Sequence, residues 1–201
     1  MRLIKYINES EKEFWRKIYK DDKTHWLDKN VSNLTKKVVS KYKEFNNVLE
    51  IGCAGGIDTF YLSKFTNNSI IGIDIIEDAI KEASKNLKNQ PKDMQKKVSF
   101  EIGDAEKLRF KDKSFDFVYS LSVLHSTDIN KSLKEVNRVL IPNGKSVIYV
   151  FINGKEGIDK TKFLEVCEKF FKITDKNIIK KKDESEDKHT ALIVFLEKKE
   201  K

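Results

Sequence analysis

The sequence predicts an α/β fold in which a doubly wound parallel sheet is covered by helices, and three observations carry this prediction. An apolar strand at residues 48–51 runs directly into a glycine-rich turn at residues 52–56. A second apolar strand, residues 70–74, ends in Asp74, 22 residues after Gly52. From residue 47 onward, strand and helix patterns alternate, which is typical of a parallel sheet with helices on both faces. Because ligands bind at the carboxyl ends of strands in such sheets, we expect the function at this turn.

The composition favours a single soluble domain with a modest extension. The chain has 201 residues, of which 39% are hydrophobic and 10% aromatic, and no apolar run reaches the length of a membrane helix. Charged residues stand where a signal peptide needs its apolar segment, so we expect a cytoplasmic protein. The two cysteines, Cys53 and Cys167, fit neither a disulfide framework nor a metal cluster, and we expect no metal ion.

Residues 1–46 are predicted to form a helical extension ahead of the main domain. Residues 10–13 have the spacing of a capping box, and apolar residues at steps of three and four predict a second helix at 31–45. The polar loop at 21–26 carries Trp26 and is a candidate lid over the site. The alternative is that the tryptophan only covers the edge of the sheet. The segment has 12 basic and 7 acidic residues, an excess that a solvated helix face explains better than a nucleic-acid partner does.

The remaining residues, 47–201, are predicted to form the main domain. Predicted strands cover 47–51, 70–74, 97–102, 115–119, 145–151, 171–178 and 190–196, and predicted helices cover 57–65, 77–88, 129–140 and 160–170. The last two strands are joined by a charged loop without a helix, so we expect them to pair antiparallel. The charged run at 180–188 is interpreted as a solvated hairpin tip.

Asp74 predicts a nucleoside-containing ligand, because a carboxylate at this spacing can hold the two hydroxyls of a ribose. Capping of the following helix is the alternative role for this side chain. A dinucleotide fingerprint read from Gly52 needs glycines where Ala54 and Ile57 stand, so it fails. Glu50 would repel a pyrophosphate but would attract an amino group or a sulfonium cation.

These residues together resemble the class I S-adenosylmethionine-dependent methyltransferases. The resemblance is carried by E-x-G-x-x-G-G at residues 50–56, Asp74, G-D-A-E at 103–106 and E-x-x-R-V-L-x-P-x-G at 135–144. It implies a Rossmann-like seven-stranded sheet of order 3-2-1-4-5-7-6 with an antiparallel last strand, and S-adenosylmethionine as the cofactor. The family's middle glycine is replaced here by Ala54. We therefore expect a turn that is slightly shifted.

The resemblance also implies which residues bind the cofactor. Glu50 and Gly52 would face its methionine part, Asp74 would bind the ribose, and Asp104 with the Ala105 N–H would bind adenine. The same site is expected to include four further residues from the glycine turn and the strand ends. The full predicted set is Glu50, Gly52, Cys53, Gly55, Asp74, Ile75, Asp104, Ala105 and Ser120.

The acceptor side is expected in the segment that follows the fourth strand. His125 is a candidate general base, with packing or a cofactor contact as its alternative role. Asp128 is better placed to cap the next helix than to orient His125. The segment lacks the Asn or Asp followed by Pro-Pro and an aromatic residue that relatives use on exocyclic base amines.

We therefore expect methyl transfer to a small or medium-sized acceptor. The first alternative is an RNA or protein methyltransferase that uses the basic N-terminal segment. The second is a non-catalytic module that binds S-adenosylmethionine. No membrane partner is expected, and nothing in the sequence selects an oligomeric state.

Overall fold

A computed structural model describes Lys17 and residues 30–152, 157–180 and 190–200. The predicted capping box at 10–13, the candidate lid at 21–26 and most of the charged run at 180–188 lie outside these residues. The strands are β1 (Phe45–Ile51), β2 (Thr66–Asp74), β3 (Val98–Ile102), β4 (Phe115–Leu121), β5 (Leu140–Phe151), β6 (Phe171–Lys180) and β7 (Thr190–Lys198). The helices are α1 (Asn33–Tyr42), α2 (Ile57–Ser63), α3 (Glu77–Lys88), α4 (Lys92–Lys97), α5 (Ile129–Val139) and α6 (Lys160–Phe170).

The strands form a seven-stranded sheet of order β3-β2-β1-β4-β5-β7-β6. Strand β7 is antiparallel to both β5 and β6, whereas β1, β2 and β3 pair in parallel, as do β4 and β5. The predicted order and the antiparallel last strand are therefore confirmed. The described residues up to Asp104 form one compact unit, and those from Ala105 onward form another.

The unit that ends at Asp104 contains the three strands that precede β4. The apolar residues of β1 are buried, as are Ile70 and Ile73 of β2, whereas β3 leaves Ile102 46% exposed. Helix α2 packs on β2 and helix α3 on β3. Helix α1 is attached to α2 because the Ser32 N–H donates to Asp58 Oδ1 at 2.9 Å, while Ser32 Oγ caps α1 by accepting from the Leu34 N–H at 3.1 Å.

The unit that begins at Ala105 contains the other four strands and helices α5 and α6. Helix α5 packs against α6 and β5, and its buried face is formed by Ile129, Ser132, Leu133, Val136 and Val139. Asp159 caps α6 by accepting from the Lys162 N–H at 2.8 Å. The antiparallel pair β5 and β7 is almost entirely buried along its shared length.

Several predicted boundaries are wrong, and backbone geometry explains the main ones. The helix predicted at 31–45 ends at Tyr42, because Lys43 takes a left-handed conformation with φ of 67° and Phe45 already belongs to β1. Strand β5 begins at Leu140 rather than at residue 145, because its pairing with β4 passes from Leu140 directly to Lys145. The intervening residues form an irregularity in which Asn143 has φ of 60°.

The other corrections concern length. Strand β2 starts at Thr66, four residues before the predicted start, because Thr66 pairs with Phe45 beyond the apolar run. Helix α2 ends at Ser63 rather than at residue 65. Helix α4 was not predicted, since six residues with one buried side chain, Met94, give too short a pattern.

The described residues contain no helix long and apolar enough to cross a membrane. Cys53 and Cys167 are both free and buried. Within the described ranges, no group of three or more His, Cys, Asp or Glu side chains is placed to hold a metal ion.

Candidate functional site

The turn between β1 and α2 is built from three residues in left-handed conformations. Gly52 has φ of 79°, Ala54 of 46° and Gly56 of 85°. The Gly52 N–H donates to the Ile73 carbonyl at 2.7 Å, so the turn starts against the end of β2. Ala54 therefore adopts the conformation that favours glycine, at the place where the resembled family has its middle glycine.

The two adjacent glycines of this turn have different steric surroundings. A Cβ atom on Gly56 would lie 2.6 Å from the Phe100 ring, whereas one on Gly55 would meet Glu82 and Asn86 side-chain atoms only at 3.6 Å. The Gly55 carbonyl instead accepts a hydrogen bond from Asn86 Nδ2 at 3.1 Å. Gly56 therefore has no room for a side chain. It belongs to the E-x-G-x-x-G-G pattern but not to the predicted cofactor-binding set.

Asp74 joins the turn to the ends of β2 and β3. Its Oδ2 accepts from the Ala54 N–H at 3.1 Å and its Oδ1 accepts from the Ile76 N–H at 3.0 Å. Its own carbonyl accepts from the Gly103 N–H at 3.0 Å. Burial raises the pKa of Asp74, while the N–H groups of Ile76, Ala54 and Ile75 oppose this shift. The carboxyl group is therefore held in one orientation, with lone pairs left for a ligand because a carboxylate offers about four acceptor positions.

Glu50 is the second acid of this corner, and only 3% of its surface is exposed. The fully buried Thr59 hydroxyl on α2 donates a hydrogen bond to Glu50 Oε2. Burial raises the pKa of Glu50 well above its ordinary value, and the charges of Asp58 and Asp74 raise it further. A cation bound nearby would favour the ionised carboxylate and so lower the pKa of Glu50.

Cys53 is a buried packing residue of the turn. A Cβ on Gly72 would lie 2.8 Å from the Cys53 Cβ and from the Phe100 ring. Strand β2 therefore needs a glycine at the position where Cys53 and Phe100 pack against it. Burial raises the pKa of the Cys53 thiol well above its ordinary value, and Glu50 and Asp74 add to the shift. A thiol that stays protonated is a poor nucleophile, which argues against nucleophilic chemistry at Cys53.

The predicted adenine segment follows β3 directly. Asp104 is exposed, whereas Ala105 is buried. The bond from Gly103 to the Asp74 carbonyl places this segment beside the end of β2. The structure thus brings together, within one compact unit, the predicted residues of the glycine turn, the end of β2 and the end of β3.

The residues after Ala105 are held by helix α5. Glu135 Oε2 accepts from the Leu108 N–H at 2.9 Å, and Arg138 donates to the Leu108 carbonyl at 2.9 Å and to the Phe110 carbonyl at 2.8 Å. Arg138 also pairs with Glu135 and, at 2.8 Å, with Asp112. Arg138 therefore has a structural role: it ties the residues after Ala105 to helix α5.

The end of β4 leads into the predicted acceptor side. Ser120 is fully buried on this strand. Ser122 has φ of 58°, and its N–H donates to the Tyr149 carbonyl at 3.0 Å. This strained turn redirects the chain into the short 3₁₀ helix Leu124–Ser126, which contains His125.

His125 packs edge-on against Phe151, with ring centroids 4.9 Å apart. Its Nδ1 atom is buried and has no hydrogen-bond partner within the described part of the chain. Burial lowers the pKa of His125 to about 4, so the imidazole is neutral at pH 7. Asp128 does not orient it: Asp128 Oδ1 accepts from the Asn130 N–H at 3.0 Å and caps α5, which confirms the capping role.

Three residues of this arrangement, Gly56, Thr59 and Glu106, were given no role of their own by the sequence analysis. Gly56 and Thr59 act through contacts with Phe100 and Glu50, which are distant along the chain. The paired glycines directly before a helix were the available signal for Gly56. Glu106 belonged to the G-D-A-E motif, but its carboxylate accepts from the Asp128 N–H at 2.8 Å, a contact that no local pattern predicts.

Known proteins with related sequences identify the class. Residues 49–148 match the family described as "Methyltransferase domain". The chain is 34% identical over 140 residues to the ubiquinone/menaquinone biosynthesis C-methyltransferase UbiE of Rickettsia prowazekii, which covers 67% of this chain and 52% of that protein. It is 32% identical over 111 residues to the sterol 24-C-methyltransferase erg6 of Aspergillus fumigatus, an alignment that covers 55% of this chain and 29% of that protein.

The fold is shared with solved structures. The N-methyltransferase NodS from Bradyrhizobium japonicum, in complex with S-adenosyl-L-homocysteine, has a TM-score of 0.68 at 17% identity, over 83% of this chain and 85% of that one. The family match and the sheet order together identify a class I S-adenosylmethionine-dependent methyltransferase. The chain belongs to this family, whose cofactor is S-adenosylmethionine. It spans about half or less of the length of the two curated relatives.

Proposed function

We propose that this protein is an S-adenosylmethionine-dependent methyltransferase that acts on a small or medium-sized acceptor in the cytoplasm. The observation that carries the proposal is the orientation of Asp74 by the Ala54 and Ile76 N–H groups. A carboxylate fixed in this way can accept both hydroxyl hydrogens of a ribose without rearranging. Family membership and the two methyltransferases of related sequence support the same activity.

Asp104 and Ala105 are proposed to select adenine. The exposed Asp104 carboxylate can accept a hydrogen from the exocyclic amino group, and the Ala105 N–H can donate to a ring nitrogen. Ile75 follows Asp74 directly and would lie against the adenosine. Because a base with a carbonyl in place of the amino group would face a carboxylate, this pairing excludes it.

The other end of the cofactor is proposed to lie along the glycine turn at Gly52, Cys53 and Gly55. Glu50 would act there as a buried negative group beneath a positively charged ligand, held in place by Thr59. The bound S-adenosylmethionine supplies an electrophilic methyl group on a sulfonium sulfur. The protein is left to align the acceptor, exclude water and remove a proton where the acceptor must lose one.

His125 is the proposed group for this last task, and Ser120 would line the same end of β4. A neutral imidazole has one nitrogen that accepts and one that donates, so the unpartnered Nδ1 can bind an acceptor hydroxyl in either tautomer. With a pKa of about 4, His125 is a weak base for an unactivated alcohol. The proposal therefore favours acceptors whose proton is already acidic, and UbiE and erg6 support acceptors of small-molecule type.

The test incubates the purified protein with S-adenosylmethionine labelled in its methyl group and with separate small-molecule, RNA and protein pools. Label should enter the small-molecule pool. Label that entered only RNA or protein would reject the proposed acceptor class. Binding of S-adenosylhomocysteine without transfer to any pool would indicate a non-catalytic module, and absence of binding would reject both.

Asp74→Ala is the variant for this test, and Asp93→Ala is its matched control. Asp93 is an exposed acid on α4. Loss of two hydrogen bonds to a charged group should weaken S-adenosylhomocysteine binding by about 10- to 100-fold in Asp74→Ala. The control should bind like the wild type. Equal affinity of all three proteins would remove Asp74 from the site.

A further inference from the structure

Helix α5 begins with a capping arrangement that its own sequence cannot complete. In a capping box, the third helical residue returns a side-chain acceptor to the backbone N–H of the capping residue. Here Asp128 is the capping residue and the third helical position is Lys131, which has no acceptor. The Asp128 N–H instead donates to Glu106 Oε1 at 2.8 Å, from a residue 22 positions earlier in the chain.

Glu106 is well placed to keep this bond. Its side chain is 17% exposed, and its second oxygen lies 3.4 Å from Lys131 Nζ. It directly follows Ala105, whose N–H is proposed to meet the adenine ring. One carboxylate therefore connects the adenine segment to Asp128, the residue that caps α5.

The chain between His125 and Asp128 is tightly bonded. The Thr127 N–H and hydroxyl both donate to the Leu124 carbonyl, at 3.3 and 2.9 Å. The Ser132 hydroxyl of α5 donates to Thr127 Oγ1 at 2.8 Å. A displacement of Asp128 would therefore displace the turn that contains His125.

We propose that Glu106 is a positioning residue that fixes the acceptor-side turn, residues 124–128, to the adenine-binding segment. The inference rests on the proposed function, since it assumes that Ala105 contacts adenine. Adenine bound at Ala105 immobilises Ala105 and Glu106. Because the Asp128 N–H is bonded to Glu106, the turn at residues 124–128 is immobilised as well. His125 is thereby held in place when the cofactor is bound.

The test measures hydrogen exchange of the turn amides with and without adenosine. Adenosine is the probe because it has the adenine and ribose but lacks the amino-acid tail, which limits direct contact with the turn. In the wild-type protein, saturating adenosine should slow exchange at 124–128 by about tenfold, which corresponds to about 1.4 kcal/mol. In Glu106→Ala, exchange at 103–106 should still slow, but the slowing at 124–128 should be lost.

Three further variants separate positioning from general stability. Glu106→Gln keeps an acceptor for the Asp128 N–H and should behave like the wild type. Lys131→Ala removes the ion pairs of the lysine with Glu106, at 3.4 Å, and with Asp128, at 3.8 Å, but keeps the bond from the Asp128 N–H to Glu106, so it should also behave like the wild type. Glu106→Asp, whose side chain is one methylene shorter, should lose the linkage and replaces Glu106→Ala if that variant fails to fold.

Two results would overturn the inference. One is equal adenosine-dependent slowing at 124–128 in the wild type and in both shortened variants. The other is loss of this slowing in Lys131→Ala or Glu106→Gln. Calorimetry with S-adenosylhomocysteine separates the two proposals: binding with an unlinked turn overturns only the role of Glu106, whereas absence of binding overturns the proposed function and the inference with it.

Discussion

The turn after β1 allows one prediction in which three neighbouring substitutions have different signs. Gly56→Ala places a methyl group on a residue with φ of 85°, which costs about 1–2 kcal/mol. The same methyl would lie 2.6 Å from the Phe100 ring, and overpacking of this kind costs about 1–3 kcal/mol. Phe100 is itself held edge-on against Phe60, with centroids 5.6 Å apart, so it cannot move freely. We expect a total loss of about 2–5 kcal/mol in the free energy of unfolding.

The two preceding residues serve as matched controls. Gly55→Ala should leave stability unchanged or raise it by up to about 1 kcal/mol, because its Cβ meets its neighbours at 3.6 Å and the unfolded chain loses freedom. Ala54→Gly removes the backbone strain of φ at 46°, which stabilises the fold, but gives the unfolded chain more conformational freedom, which destabilises it. We expect a net gain of about 0–1 kcal/mol in the free energy of unfolding.

The assay is urea denaturation followed by far-ultraviolet circular dichroism at 25 °C. The slope with urea concentration should be the same in all four proteins, so that differences in midpoint report differences in stability. A Gly56→Ala protein within about 0.5 kcal/mol of the wild type would refute this steric explanation of the turn. So would a Gly55→Ala protein that loses as much stability as Gly56→Ala.

Three other predictions concern charged and titrating groups. Because burial and nearby acids raise the pKa of Glu50 in the fold, the wild type should lose stability as pH rises from the unfolded value of 4.5 through the folded value. Glu50→Gln should not show this loss. If the difference in free energy of unfolding between the wild type and Glu50→Gln, measured in urea titrations, stayed constant between pH 4 and pH 8, the raised pKa of Glu50 would be contradicted. Arg138→Met should cost about 1–3 kcal/mol, since it leaves the Leu108 and Phe110 carbonyls without their donor; an unchanged urea midpoint would contradict this. The imidazole signal of His125, assigned in NMR spectra with His125→Gln, should titrate near pH 4, and a midpoint near 6.5 would show that the ring is not desolvated.

Amphipathic helices with clear caps were predictable from the sequence. Helices α3 (Glu77–Lys88) and α6 (Lys160–Phe170) have the predicted bounds, because apolar spacing and, in α6, the Asp159 cap define both ends locally. Strand ends were less predictable. The first residues of β2 and the irregular start of β5 are set by pairing with β1 and β4, which no local pattern contains.

The part of the site that depends on the spacing of residues within one stretch of sequence was predictable. Asp74 was identified because an acid at the end of the second strand follows from the glycine turn upstream, and its contact with Ala54 is seen in the structure. Gly56 and Thr59 were not identified, since their roles depend on Phe100 and Glu50. The environment of His125 was equally hidden, because its pKa and its unpartnered Nδ1 depend on burial against Phe151.

A crystal structure of the protein with S-adenosylhomocysteine would show directly whether Asp74 binds the ribose. Both ribose hydroxyls should donate to Asp74 at about 2.7 Å while Ala54 and Ile76 keep their bonds to the same carboxylate. The adenine amino group should meet Asp104. A ribose bound away from Asp74, with that carboxylate occupied by backbone donors alone, would contradict the proposed cofactor site.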